Sequence, residues 1–93
     1  MASSKFHIVY ISRLRNVSYE DVEKKMDLAR SWYRITESIW VLYTTSDAEK
    51  WNARLSPLVK DEGSLFICKL DTDRQGWMSP KFWDWMHDHE GSG

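Results

Sequence analysis

Two short apolar runs predict two central β-strands. Residues 6–11 read Phe-His-Ile-Val-Tyr-Ile, and residues 64–70 read Ser-Leu-Phe-Ile-Cys-Lys-Leu. Both runs place apolar side chains on both faces of an extended chain, which is typical of a strand that is covered on both sides. We therefore expect Cys68 to be a buried and unreactive thiol.

A longer β-rich segment runs from residue 33 to residue 45. It is long enough to form two strands folded at Glu37 and Ser38, and one long bent strand is the alternative. Successive side chains of a strand point to opposite faces. In the second half of the segment one face would carry Ile39, Val41 and Tyr43, and the other Trp40 and Leu42.

Helical spacing separates these strands. Ser18 has the position of an N-cap, and apolar residues then recur at intervals of three and four. These residues are Tyr19, Val22, Met26, Ala29 and Tyr33. Ser46 and Glu49 have the spacing of a capping box, which predicts a second helix that Pro57 ends or kinks.

The order of elements predicts an α+β fold. It is β-α-β-β-α-β, followed by a short C-terminal helix for which Ser79 is the N-cap and Pro80 the first residue. This order is typical of a ferredoxin-like sandwich, with two helices on one face of a four-stranded antiparallel sheet. We expect one domain over residues 1–93, with an ordered core at about 5–88 and residues 90–93 as a tail or a tag remnant.

Composition and charge narrow the function classes. The single cysteine fits a reducing compartment and excludes an internal disulfide. No apolar run approaches the roughly 20 residues that span a bilayer, and the first residues lack the apolar core of a signal peptide. We therefore expect a cytoplasmic protein without membrane contact. A net charge of −1 is lower than a dedicated nucleic-acid binder usually carries.

The chain resembles the small Cas-two-like proteins of CRISPR adaptation, and more closely their compact SinR-like relatives. The matching segments are His7 to Tyr10, Trp32 to Thr44, the helix after Ser46, Leu65 to Leu70, and Trp77 with Trp85. Together they lie within residues 6–86 and consist mainly of core and strand positions. The resemblance implies a ferredoxin-like fold and homodimers that pair sheet edges and pack β-faces.

The resemblance also implies a metal position that is changed here. Some members cut RNA or DNA with a metal held by an aspartate just after the tyrosine of the first strand, whereas others bridge integrase subunits along DNA without cleavage. In this chain Tyr10 is followed by Ile11 and Ser12, and Mg²⁺ usually needs at least one carboxylate ligand. We therefore expect no catalytic residue, no metal and no cofactor. A nuclease of this fold would have to recruit other carboxylates, which are Asp71, Asp73 or Glu20.

Basic residues of the N-terminal third are the candidates for contact with nucleic acid. They are Arg13, Arg15, Arg34 and Lys5. Such side chains can position phosphates without reading the base sequence. The alternative is that they are solvated or paired with Glu20, Asp21 and Glu37, as most surface charges are.

Aromatic residues are the candidates for a protein interface. They are Trp77, Trp83, Trp85, Trp40 and Tyr43. Positions 83 and 85 point about 160° apart on a helix, so their rings cannot share one face. Tryptophan is enriched at interface hot spots, although Trp40 and Tyr43 could instead stack on bases or belong to the core.

These expectations favour a non-catalytic homodimeric binding protein, linked to nucleic acid or to a protein complex of CRISPR or phage defence. One alternative is a metal-dependent endonuclease of the same fold. Another is an inhibitor or adaptor that binds a protein through its tryptophan-rich C-terminal segment. A third is a small-molecule-binding domain with a pocket between helices and sheet.

Overall fold

The computed structural model describes residues 4–12, 15–60 and 62–90 of the chain. The described strands and α-helices are β1 Lys5–Ser12, α1 Tyr19–Met26, β2 Ser31–Thr36, β3 Ile39–Thr44, α2 Ala48–Leu55, β4 Ser64–Lys69 and α3 Pro80–Glu90, and a 3₁₀ helix, Ser56–Leu58, follows α2. The class is α+β, as predicted. Of the described helices, none is long and apolar enough to cross a membrane.

The described strands form one antiparallel sheet in the order β2-β3-β1-β4. This order is compatible with the predicted ferredoxin-like arrangement. The segment from residue 33 to residue 45 contributes two strands, as predicted, and the turn between them is closed by the Ser38 amide, which donates to Thr36 Oγ1 at 3.1 Å. The prediction that residues 64–70 form a central strand is wrong, because β4 lies at the edge of the sheet.

Helix α1 begins as predicted and ends early. Ser18 Oγ accepts a hydrogen bond from the Asp21 amide at 3.2 Å, and the Asp21 carboxylate accepts one from the Ser18 amide at 3.0 Å. These two bonds lower the pKa of Asp21. The helix ends at Met26, earlier than the apolar spacing predicts, because the Arg30 amide already donates to the Tyr43 carbonyl of β3 at 2.9 Å.

Helix α2 begins one residue later than predicted. Its N-cap is Asp47, whose carboxylate accepts from the Lys50 amide at 2.9 Å. The Ser46 hydroxyl accepts instead from Arg54 Nη1 at 3.1 Å. Serine and aspartate are equally good N-caps, so the sequence pattern could not decide between them. The helix ends two residues before Pro57, as that proline predicts.

Apolar side chains of the described residues pack on both faces of the sheet. The cluster between the sheet and helices α1 and α2, here the inner core, contains Val9, Ile11, Val22, Met26, Trp40, Leu42, Trp51, Leu55 and Val59. The cluster between the other face and α3, here the outer core, contains Phe6, Val41, Tyr43, Phe82 and Met86. The sequence left the position of the C-terminal helix undetermined, and the structure places it on the face opposite α1 and α2.

Candidate binding surface on the outer face of the sheet

Helix α3 closes one end of the outer face. The Phe6 ring lies 5.0 Å from the Tyr43 ring and 5.6 Å from the Trp85 ring. Trp85 Nε1 also donates to Ser31 Oγ at 2.8 Å, which ties α3 to the start of β2. These contacts lie at the end of the sheet where β1 begins, and they bury the rings of Phe6 and Tyr43.

The other end of the outer face is open. Tyr10 of β1 and Phe66 of β4 lie directly opposite each other, and their exposed fractions are 41% and 64%. Cys68 is exposed on the same face of β4, opposite the half-buried Ile8. We call Tyr10, Phe66, Cys68 and Ile8 the open strip. A contiguous exposed apolar patch of this kind is typical of an interaction surface.

The exposure of Cys68 shows that its predicted burial is wrong. In β4 the alternate residues Leu65 and Ile67 pack against the inner core. Phe66 and Cys68 point the opposite way, where α3 does not reach. An edge strand that is apolar on both faces therefore leaves one of its apolar rows uncovered within this chain.

A groove continues the open strip between the sheet and α3. Its cavity volume is about 180 Å³, and its apolar lining includes Ile8, Ile35, Val41, Met78, Trp83 and Met86. Arg74 is at its rim, where Nη1 donates to the Asp71 carbonyl at 2.7 Å and the guanidinium pairs with Glu90. Because the charge of Arg74 is compensated, this α3 groove is an apolar site.

Trp77 stands beside the groove. It is the most exposed large apolar side chain of the described residues, and it is fully open to solvent. Its chain neighbours Gly76 and Met78 both line the α3 groove. The connection between β4 and α3 thus presents a free indole ring next to an apolar cavity.

The other aromatic residues predicted for an interface contact the chain itself. Trp40 is completely buried in the inner core, and Tyr43 is 3% exposed in the outer core. Trp83 and Trp85 are half-buried on α3, where the Trp83 ring packs 5.2 Å from the Phe82 ring. Only Trp77, of the five aromatic residues named as interface candidates, is fully exposed.

Two of the predicted basic residues, Lys5 and Arg15, lie at or beyond opposite ends of β1. Lys5 begins β1, whereas Arg15 follows its far end, and both side chains are exposed. At about 3.3 Å per residue the two ends of β1 lie about 23 Å apart, with Lys5 at one end and Arg15 three residues beyond the other. Arg13 lies outside the described residues.

Arg34 is paired within the chain. Its Nη1 lies 3.4 Å from Glu23 Oε2, and its guanidinium lies 4.8 Å from the centre of the Tyr19 ring. The paired alternative therefore describes Arg34, with Glu23 as a partner that the sequence analysis did not name. Contact of these four basic residues with nucleic acid stays a prediction.

The position expected for a catalytic aspartate lies inside the fold. Ile11 is 1% exposed and belongs to the inner core. The alternative carboxylates Asp71 and Asp73 follow β4, near Phe6 at the opposite end of β1, because the Leu70 amide donates to the Phe6 carbonyl at 2.8 Å. Within residues 4–12, 15–60 and 62–90, no three His, Cys, Asp or Glu side chains are grouped so that they could hold a metal ion.

A buried histidine lies on the inner side of β1. His7 is 3% exposed, and no described residue forms a hydrogen bond with its Nδ1. Burial lowers the pKa of His7, and the positive charge of Lys69 lowers it further, while a hydrogen bond with the Lys5 backbone and the charge of Asp47 act in the opposite direction. The lowered pKa favours the neutral form of this buried side chain.

Tyr10 and Phe66 are the surface residues that the sequence analysis missed. Their signal was present in the apolar residues on both faces of strands 6–11 and 64–70, which were interpreted as evidence of burial on both sides. Comparison with protein-family models, curated proteins and solved structures gives no match to this chain. The function is therefore inferred from the geometry and chemistry of the open strip and the α3 groove.

Proposed function

We propose that the protein is a non-catalytic homodimeric binding protein, and that a second copy covers the open strip. The observation that carries the proposal is the cross-strand pair of Tyr10 and Phe66, which are 41% and 64% exposed beside the exposed Cys68. Aromatic side chains are enriched at protein interfaces and charged residues are depleted at their centres. The open strip has both properties.

The fold is part of the proposal. The strand order β2-β3-β1-β4 and the sequential order of the elements support a ferredoxin-like sandwich, to which α3 adds a layer on the outer face. Because α3 covers one end of that face, two copies packing their sheets together would use the open end. A link to CRISPR adaptation or phage defence, and a cytoplasmic location, rest on the sequence alone.

The absence of catalysis is proposed from the residue at the expected metal position. Ile11 fills this position and packs among the apolar side chains of the inner core. A carboxylate placed there would lose its hydration without gaining a partner, which is strongly unfavourable. Position 11 is therefore better suited to packing than to holding a metal.

Sedimentation velocity over a range of concentrations tests the dimer. We expect the wild type to reach twice its chain mass of 11.1 kDa, and Phe66→Ser to sediment as a monomer. Leu28→Ser is the matched control, because Leu28 is 60% exposed but follows α1, away from the outer face. A wild type that stays at the chain mass at high concentration, or a dimeric Phe66→Ser variant, would overturn the proposal.

Binding of single-stranded nucleic acid is a second candidate function. The observation in its favour is that Tyr10 and Phe66 present adjacent exposed rings on an open sheet face, on which bases can stack. Anisotropy titration of labelled RNA, single-stranded DNA and duplex DNA at several salt concentrations tests it. Micromolar binding that weakens linearly in log salt, with a slope reduced by about one in Arg15→Ala, would support this function. The absence of binding at low salt would remove it.

A further inference from the structure

We propose that each copy of the chain inserts Trp77 into the α3 groove of its partner, so that two reciprocal tryptophan contacts close the dimer. This inference rests on the proposed homodimer and adds the residue and the cavity that hold it together. It concerns the C-terminal part of the outer face, beside the open strip.

The α3 groove has the size and chemistry of a receptor for one aromatic ring. An apolar protein cavity of about 150 Å³ can hold benzene, and the groove measures about 180 Å³. Its lining includes Ile8 and Val41 of the sheet and Met86 of α3. Since Arg74 at the rim is already paired with Glu90, filling the groove would leave no charge uncompensated.

Trp77 supplies a ring of the right kind. Its side chain is fully exposed, and a large aromatic side chain buries about 150–250 Å² when it is covered. Its ring does not line the groove of its own chain, although Gly76 and Met78 on either side of it do. The connection thus holds the ring next to the cavity and directs it away from the chain.

This arrangement satisfies the requirement of a two-fold symmetric interface. In such an interface the same patch of each copy must contain both the inserting group and the site that receives it. Trp77 and the α3 groove meet this condition, because they are adjacent. A Cβ atom added at Gly76 would have no atom within 4 Å, so the backbone beside Trp77 leaves room for a partner to approach.

The exposed aromatic area is consistent with a stable dimer. Trp77 is fully exposed, Phe66 is 64% exposed and Tyr10 is 41% exposed. With about 150–250 Å² for a complete ring, these exposed parts amount to roughly 300–500 Å² per copy. A standard interface takes about 800 Å² from each partner, so the three rings would supply roughly half of one side.

The test compares Trp77→Ala with Leu28→Ala by sedimentation velocity, with circular dichroism to verify folding. We expect Trp77→Ala to raise the dimer dissociation constant by at least about 100-fold, because a buried interfacial tryptophan is a typical hot spot. Leu28→Ala should leave the dissociation constant unchanged. A wild-type dimer that persists in Trp77→Ala would overturn the insertion and leave the homodimer intact, whereas a monomeric wild type would overturn both.

A second measurement follows the ring itself. In fluorine NMR of protein that carries 5-fluorotryptophan, the Trp77 resonance is identified by its loss in Trp77→Phe. We expect this resonance to shift with protein concentration over the range in which the dimer forms. A resonance that is already shielded from solvent in the monomer would mean that Trp77 enters the groove of its own chain, and would overturn the exchange.

A mixing experiment tests the groove. Ile35→Trp places a large ring in the groove and retains Trp77, whereas Trp77→Ala retains an empty groove. We expect each variant alone to be monomeric and an equimolar mixture to form a heterodimer, because one of the two contacts is then restored. A mixture that contains only monomers, next to a dimeric wild type, would contradict reciprocal insertion.

Discussion

The two faces of the sheet are formed by the same strands, but helices cover them to different extents. On the inner face α1 and α2 cover the sheet, and Trp40 and Trp51 are completely buried. On the outer face α3 covers one end only, and Tyr10 and Phe66 remain exposed at the other. The apolar character of the outer face therefore exceeds what one copy of the described chain can bury.

This difference separates residues that hold the fold from residues that are free to bind. An inner side chain is surrounded by its own chain, so its removal leaves a cavity. A side chain of the open strip faces solvent in the monomer, so its removal should change folding little and, if the proposed dimer forms, weaken association strongly. Mutations on the two faces should consequently affect different measurements.

The largest effect is expected on the inner face. Trp51 is completely buried, and its Nε1 donates to Thr44 Oγ1 at 3.1 Å. Trp51→Ala removes this bond and opens a large cavity, which should lower the free energy of unfolding by about 3–5 kcal/mol. Urea denaturation followed by circular dichroism measures the change. A loss below about 1 kcal/mol would contradict the account that side chains of the inner face hold the fold.

A smaller effect is expected at the closed end of the outer face. Trp85→Phe keeps an aromatic ring near Phe6 and removes the bond that Trp85 Nε1 donates to Ser31 Oγ. The free energy of unfolding should fall by about 1 kcal/mol, the net value of one such bond. Trp83→Phe is the control, because no described hydrogen bond involves the Trp83 indole nitrogen. Equal losses in the two variants would contradict the anchoring of α3 through Ser31.

The contribution of His7 to the free energy of unfolding is expected to depend on pH. Because burial lowers the pKa of His7 in the folded protein, the unfolded chain binds a proton first as the pH falls below about 6.5. Stability should therefore decrease with falling pH in this window and be unaffected by His7 above it. Urea denaturation between pH 8 and pH 5.5 should show that the free energy of unfolding decreases less steeply with falling pH in His7→Gln than in the wild type. The exposed His87 provides the control variant His87→Gln, and a slope that changes only in that control would contradict the role of His7.

The sequence was most informative where a local pattern determines structure. The alternation in residues 33–45 and the cap at Ser18 both correspond to elements of the fold. The end of α1 was predicted too late, because the spacing of apolar residues continues into β2. The N-cap of α2 was predicted one residue early, because Ser46 and Asp47 are both suitable caps.

The position of a strand within the sheet could not be predicted from a local sequence pattern. An apolar run such as 64–70 has the same pattern in a central strand and in an edge strand whose outer side is uncovered. Only the order of the strands showed that β4 lies at an edge and that Phe66 and Cys68 are exposed. The separation of Lys5 from Arg15, and the pairing of Arg34 with Glu23, likewise depend on the tertiary fold.

The smallest effect on the monomer, and the most direct test of the open strip, concerns Phe66. At a concentration where the protein is monomeric, Phe66→Ser should change the free energy of unfolding by no more than about 0.5 kcal/mol, as exposed positions usually do. A dimer that forms only from folded chains makes the wild type more stable as its concentration rises. The decisive measurement is the thermal unfolding midpoint of both proteins across a wide concentration range. The proposed dimer predicts a midpoint that rises with concentration in the wild type and stays constant in Phe66→Ser, and a wild-type midpoint independent of concentration would contradict it.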